Sequence, residues 1–138
     1  MKKILCVCTA NLQRSPTLEA MLNATPEYEA RSAGTHPAPD RQAITEELLL
    51  WADRIIVFED QHRRDIRTQF WMVYPQIESK IRVMHIPDDY NYGETRLVRA
   101  IRHRWMTLAN VWLMTPGKKE EFTEGRPFCA DERRNRDH

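Results

Sequence analysis

One stretch, Lys3 to Asn23, limits what this chain can fold into. Lys3-Ile4-Leu5-Cys6-Val7 is a short, β-prone apolar run. Cys8-Thr9-Ala10-Asn11-Leu12-Gln13-Arg14-Ser15 follows, and Pro16 to Asn23 then carries Leu18, Met21 and Leu22 at helical spacing. The order predicts a buried strand, a tight loop and a helix with Pro16 in its first turn.

A loop that enters a helix N-terminus presents backbone N–H groups without intrahelical partners, and the helix dipole adds positive potential. Such a loop holds a phosphoryl group. The amides from Thr9 to Arg14 (Thr9, Ala10, Asn11, Leu12, Gln13, Arg14) and the adjoining Ser15 form the predicted phosphate cradle. A cation at a helix start opposes the dipole, so Arg14 calls for an anionic partner; its planar guanidinium grips two phosphate oxygens at once. The same field favours a thiolate at Cys8: cysteines so placed have pKa values of about 3.5–7.5, against about 8.5 for a free thiol. Nucleophile, oxyanion donors and charge clamp in one loop suit phosphoryl transfer to sulfur.

The rest of the chain alternates strand and helix. Strands are expected at Tyr28–Ser32, Arg54–Phe58 and Ile81–Ile86. Helices are expected at Thr45–Ala52, with Thr45 as the candidate N-cap, at Asp60–Phe70, and from Glu94 to about Met114. The uninterrupted run Ile55-Ile56-Val57-Phe58 suits a parallel strand buried on both faces. Four such strands predict a single doubly wound α/β domain, a four-stranded parallel sheet with helices on both faces. The domain is expected over residues 1–114, with 115–138 a charged, flexible tail. Ligands bind beyond the carboxyl ends of the strands in such folds. The Cys8 loop lies there, and so does Pro87-Asp88-Asp89-Tyr90, where a carboxylate is placed to act as general acid.

At these residues the sequence resembles the low-molecular-weight protein tyrosine phosphatases. Cys8, Asn11, Arg14, Ser15 and Pro16 match that family's Cys-x5-Arg-Ser-Pro loop, and Ser32-Ala33-Gly34-Thr35 and Ala52 to Val57 look like two further segments of it. The similarity covers roughly residues 3–105. It implies Cys8 as nucleophile, Asn11 and Ser32 as supports of the loop, and Ser15 as donor to the thiolate. It also implies an acid from the family's Asp-Pro-Tyr segment. Here Asp89 stands where the family has proline, which favours Asp88 as the acid but leaves Asp89 as a rival, and Tyr90 is placed to wall the cleft. Gln13 replaces a second cysteine that often precedes the arginine and protects the nucleophile from oxidation. The segment from Gly34 to Thr45 is short for the family, so a cleft wall and a supporting histidine are at risk, with His36 a weak stand-in.

Composition narrows the partners. A net charge of +1, with 41% hydrophobic and 30% charged residues, implies a globular chain without a global field for nucleic acid or membrane. The N-terminal apolar run is too short for a signal peptide, and no stretch reaches the roughly 20 residues of a membrane span. The arginines from Arg96 to Arg104 read as a solvated face. The histidines show no metal-ligand spacing, so no metal or other cofactor is expected. Three cysteines give no disulfide framework; Cys6 reads as core, Cys129 as incidental, and the compartment as a reducing cytoplasm. The expected substrate is a phosphotyrosine protein or a small aryl phosphate. Two alternatives stay open: an arsenate reductase-like redox enzyme, and a phosphate-binding module without catalysis.

Overall fold

A computed structural model describes residues 1–112, with side chains to residue 108. The elements in order are β1 (Lys2–Cys8), α1 (Arg14–Asn23), β2 (Tyr28–Gly34), α2 (Glu46–Trp51), β3 (Arg54–Val57), α3 (Asp60–Gln69), α4 (Tyr74–Ile77), a 3₁₀ turn (Glu78–Lys80), β4 (Ile81–Val83) and α5 (Thr95–Trp112). All four strands are parallel, in the order β2-β1-β3-β4. This is the expected doubly wound α/β domain.

The period of two along β1 sorts its side chains between two cores. Ile4, Cys6 and Cys8 face Leu18, Met21 and Leu22 of α1 and Leu97, Val98, Ile101 and Trp105 of α5. Leu5 and Val7 face the other way, onto Leu48 and Leu49 of α2, Ile66 of α3 and Ile77 of α4. Both faces are therefore sealed, which is why β1 and β3 carry apolar runs rather than alternation. Trp105, fully buried, meets Tyr28 edge-on, with ring centroids 5.5 Å apart. Thr45 caps α2 by accepting from the Leu48 N–H at 3.1 Å.

The chain leaves β1 toward β2 on one side and later returns to β3 on the other. Ligand crevices form at such a switch point. The loop after β1 and the start of α3 meet there.

Several bounds differ from the sequence reading: α1 starts at Arg14 rather than Pro16, β2 runs on to Gly34 rather than stopping at Ser32, and β3 ends at Val57 rather than Phe58. The fourth strand was expected to reach Ile86 but ends at Val83, because His85 takes a left-handed φ of 59°. Its pairing direction persists nonetheless: Met84 N–H donates to Val57 O at 2.8 Å and Ile86 N–H to Phe58 O at 2.9 Å. The short helix α4 and its 3₁₀ turn fill a segment to which no element was assigned. The expected end of the last helix at Met114, the tail 115–138 and Cys129 lie outside the described residues.

Candidate active site

The loop from Cys8 to Arg14 is shaped from outside. Thr9 O accepts from the His36 N–H at 2.9 Å, Ala10 O from the Ala38 N–H at 3.1 Å, and Asn11 O from Arg41 Nε at 2.7 Å. No peptide here is cis. In a planar trans peptide the N–H points opposite to its carbonyl. With three consecutive carbonyls drawn toward residues 36–41, the N–H groups of Ala10, Asn11 and Leu12 turn the other way. Asn11 completes the curl with a left-handed φ of 60°, which asparagine tolerates better than most residues.

A buried polar chain runs beneath the loop. Asn11 Nδ2 donates to Ser15 Oγ and to Ser32 Oγ, both at 3.0 Å, and Ser32 Oγ donates to Glu19 Oε1 at 2.7 Å. The Gln42 N–H donates to Asn11 Oδ1 at 3.3 Å, which fixes the amide's orientation. Ser15 therefore receives from Asn11 and keeps its own proton for Cys8 Sγ at 3.0 Å; the other acceptor, Ala33 O, is at 3.5 Å. Glu19 at the end of this chain gave no signal in the sequence beyond its place one helical turn after Ser15.

Arg14 is almost wholly buried, at 1% exposure. Its Nη1 donates to Glu59 Oε2 at 2.9 Å and to Ile86 O at 2.8 Å, and its guanidinium lies 5.8 Å from the Phe58 ring centre. Nε is buried without a hydrogen-bond partner, and Asp88 Oδ1 lies 3.8 Å from it. An orphaned donor on a buried cation costs free energy unless an anion meets it.

An open cleft of about 390 Å³ joins these groups, lined by Cys8, Gln13, Arg14, Asp88, Asp89 and Tyr90 among others. Leu12, 43% exposed, stands on its rim. The structure thus brings together Cys8, Arg14 and the residues after Ile86, while Asn11, Ser15 and Ser32 lie behind the loop. Tyr90 is half-buried, with the Arg96 guanidinium 5.1 Å from its ring centre. Cys6 is fully buried in the core, and burial foremost, then the charges of Glu19 and Cys8, push its thiol pKa well up.

A buried histidine does bond the Cys8–Arg14 loop, but it is not His36. His36 bears its side chain outward, 3.9 Å from Asp65, and serves the loop only through its backbone. His62 is the buried one. Its Nδ1 accepts from the Glu59 N–H at 3.0 Å, which leaves Nε2–H to donate to Thr9 Oγ1 at 2.9 Å. Burial, followed by the charge of Arg14, lowers its pKa to about 4, against the opposing pull of Glu59, Asp65 and Asp88. Glu59 and His62 also cap α3 reciprocally. Sequence reasoning missed both. The signal was there, as an acidic residue and a histidine three apart directly after β3.

Among the described residues, no three His, Cys, Asp or Glu side chains converge on a metal site. No helix among them is long and apolar enough to cross a membrane.

No family model and no curated protein matches the chain. Solved structures do. A low-molecular-weight phosphotyrosine phosphatase from Vibrio cholerae is 19% identical, with a TM-score of 0.65 over 84% of this chain and 99% of that one. Wzb from Vibrio vulnificus, solved with benzylphosphonate, is 25% identical, with a TM-score of 0.57 over 80% of this chain and 96% of its own. A YwlE mutant from Bacillus subtilis is 27% identical, with a TM-score of 0.51 over 61% of this chain and 72% of its own. The resemblance first visible in the Cys8 loop thus extends to the whole described domain, and the chain has the fold of the low-molecular-weight protein tyrosine phosphatases.

Proposed function

We propose that the chain is a cysteine-dependent phosphatase of aryl phosphate monoesters, with protein phosphotyrosine as its substrate class and a reducing cytoplasm as its setting. The observation that carries this reading is Arg14: a buried guanidinium, anchored through Nη1 and with an unpartnered Nε, on a residue that lines the cleft together with Cys8 and Asp88. The Cys8 thiolate attacks phosphorus in line. The amides of the loop and Arg14 take the charge that spreads over the equatorial oxygens. Asp88 gives its proton to the departing phenolate oxygen as the P–O bond breaks. The cysteinyl phosphate is then hydrolysed by a water whose proton returns to Asp88. The P–S bond breaks, phosphate leaves, and the electron pair returns to sulfur, where the Ser15 hydroxyl donates to it.

Asp88 is preferred to Asp89 because its carboxylate stands beside Arg14 Nε. Leu12 and Tyr90 on the cleft walls suit an aromatic leaving group. A second reading draws on another similar structure, the YwlE arginine phosphatase with a phosphorylated active-site serine: the same chemistry on phosphoarginine.

Hydrolysis of phenyl phosphate, whose basic leaving group needs a proton, tests the reading against pH in wild type, Cys8→Ser, Asp88→Asn and Asp89→Asn. Loss of turnover in Cys8→Ser, with a large loss in Asp88→Asn alone, is expected. Turnover surviving Cys8→Ser would overturn the assignment of the nucleophile. Wild type cleaving phosphoarginine peptides in preference to phosphotyrosine peptides would move the substrate class to the second reading.

A further inference from the structure

The loop that carries the proposed acid is hung on the phosphate loop itself. Upstream, Ile86 O accepts from Arg14 Nη1 at 2.8 Å. Downstream, the Tyr92 N–H donates to Gln13 Oε1 at 2.6 Å, and the Gly93 N–H donates to Thr17 Oγ1 at 2.9 Å. Thr17 is fully buried, and its hydroxyl proton is committed to Gln13 O at 2.7 Å, so its oxygen is a fixed acceptor for Gly93. Gly93 is buried with φ at 69°, and the Asn91–Glu94 turn closes behind it: Glu94 N–H donates to Asn91 O at 3.1 Å and Asn91 N–H to Glu94 Oε1 at 3.0 Å.

Both ends of the Pro87–Asn91 span are thus fastened to Gln13, Arg14 and Thr17, within five residues of one another on the end of the phosphate loop and the first turn of α1. Asp88 and Asp89 lie between the fastenings, and both are exposed. Apart from the approach of Asp88 Oδ1 to Arg14 Nε at 3.8 Å, their place over the cleft comes from the anchors rather than from packing of their own side chains.

We infer that Gln13 and Thr17 are positioning residues for the general acid, latching the 87–93 loop to the phosphate loop through the backbone N–H groups of Tyr92 and Gly93. The inference rests on the phosphatase reading above. Proton delivery tolerates little misplacement. A latch made to the backbone sets the loop's reach without touching the substrate.

Leaving-group dependence separates this role from a general structural one. A basic phenolate needs a proton as it departs, and an acidic one such as p-nitrophenolate does not. Gln13→Met and Thr17→Val each remove one acceptor at nearly constant volume; the valine also gives up the hydroxyl's bond to Gln13 O, which keeps the Thr17 N–H at 3.2 Å. The acid's whole contribution is on the order of 10²–10⁴, so in Thr17→Val kcat/KM for phenyl phosphate is expected to fall roughly tenfold, with that for p-nitrophenyl phosphate within about twofold of wild type; in Gln13→Met the ratio of the two, phenyl to p-nitrophenyl, is expected to fall roughly tenfold. Inhibition by inorganic phosphate is expected to stay near wild type in Thr17→Val, and Thr17→Ser, which keeps the acceptor, to restore the wild-type ratio of the two substrates. Equal losses on both substrates, or weakened phosphate inhibition to match in Thr17→Val, would overturn the latch while leaving the phosphatase reading intact. Backbone amide exchange across 87–93 provides a readout free of activity: it rises in Gln13→Met and Thr17→Val if the latch exists. Unchanged exchange overturns the latch even if wild type hydrolyses neither ester, a result that would separately refute the phosphatase reading.

Discussion

Arg14 Nη1 and Glu59 Oε2 are 2.9 Å apart, and they join the Cys8–Arg14 loop to the start of α3 across 45 residues of chain. The pair is lopsided, with the arginine side chain 2% exposed and the glutamate 38%. Glu59 holds one nitrogen of the guanidinium in place and offsets part of its charge. The remaining positive potential is what the cleft offers an anion.

Changing Glu59 separates these two effects. Glu59→Gln keeps an acceptor but removes the charge, so inorganic phosphate is expected to inhibit about two- to threefold more tightly at moderate salt. Glu59→Ala removes the acceptor as well. It is expected to cost only about 1 kcal/mol of stability, because the carboxylate is solvent-screened, and to weaken phosphate inhibition as Arg14 loses its anchor. Inhibition constants and thermal melts of the two variants check this. Weaker phosphate inhibition in Glu59→Gln would contradict it.

Gly34 is needed for space rather than for an unusual backbone angle. A Cβ there would sit 2.4 Å from Thr9 O, 3.1 Å from Asn11 N and 3.2 Å from Ala10 C. Gly34 is also the register partner of Cys8. Gly34→Ala must therefore push the loop off β2, at a cost of about 1–3 kcal/mol by analogy with overpacked cores. Phosphate inhibition is expected to weaken along with the melting temperature. A variant with wild-type phosphate inhibition would show that the loop gives way without losing its shape.

Asn11 combines a left-handed backbone with three side-chain hydrogen bonds, to Ser15, Ser32 and the Gln42 N–H. Asn11→Gly keeps the backbone option and loses the bonds. Asn11→Ala loses both, with a further penalty of about 1–2 kcal/mol for a left-handed alanine. Both variants are expected to lose about tenfold or more in kcat/KM for p-nitrophenyl phosphate, by the precedent of lost active-site donors, and Asn11→Ala is expected to melt lower than Asn11→Gly. Equal melting temperatures would argue that the backbone angle at residue 11 carries no strain.

Much of this could be read from local pattern. The run Lys3–Val7, the continuous Ile55–Phe58 and the spacing of Leu97, Val98, Ile101 and Trp105 announce their elements because burial on one or both faces leaves a period. Asn11 and Ser32 were legible through resemblance, and the structure places them 3.0 Å apart. What escaped depends on long-range partners. Glu59 and His62 look like an ordinary helix start until Arg14 and Thr9 are brought against them. The end of β4 at Val83 follows from a single backbone angle at His85. The segment from Tyr74 to Lys80 forms two short turns that are too brief for a period to show. Gln13, noted first for the cysteine it replaces, meets Tyr92 across 79 residues, a contact no spacing rule encodes.

His62 makes stability depend on pH with a definite sign. Its folded pKa of about 4 lies below the ordinary 6.5, so the unfolded chain binds the proton more tightly. Its contribution is fully present above about pH 6.5, falls as the pH drops toward 4, and changes little below. The whole swing is at most about 3 kcal/mol. Carboxylates titrate in part of the same window, so the wild-type curve alone does not isolate it. His62→Gln cannot titrate and leaves those carboxylates in place. The variant is expected to be less stable than wild type at pH 7.5, since it loses bonds to Thr9 and Glu59. That deficit should shrink between pH 6.5 and 4, as the wild type alone loses the contribution of a neutral, buried imidazole. Denaturant unfolding of both proteins at half-unit pH steps measures the difference directly. A deficit that stays constant across the window would mean that His62 titrates at an ordinary pKa, and that the bond Nδ1 accepts from the Glu59 N–H does not hold the ring neutral.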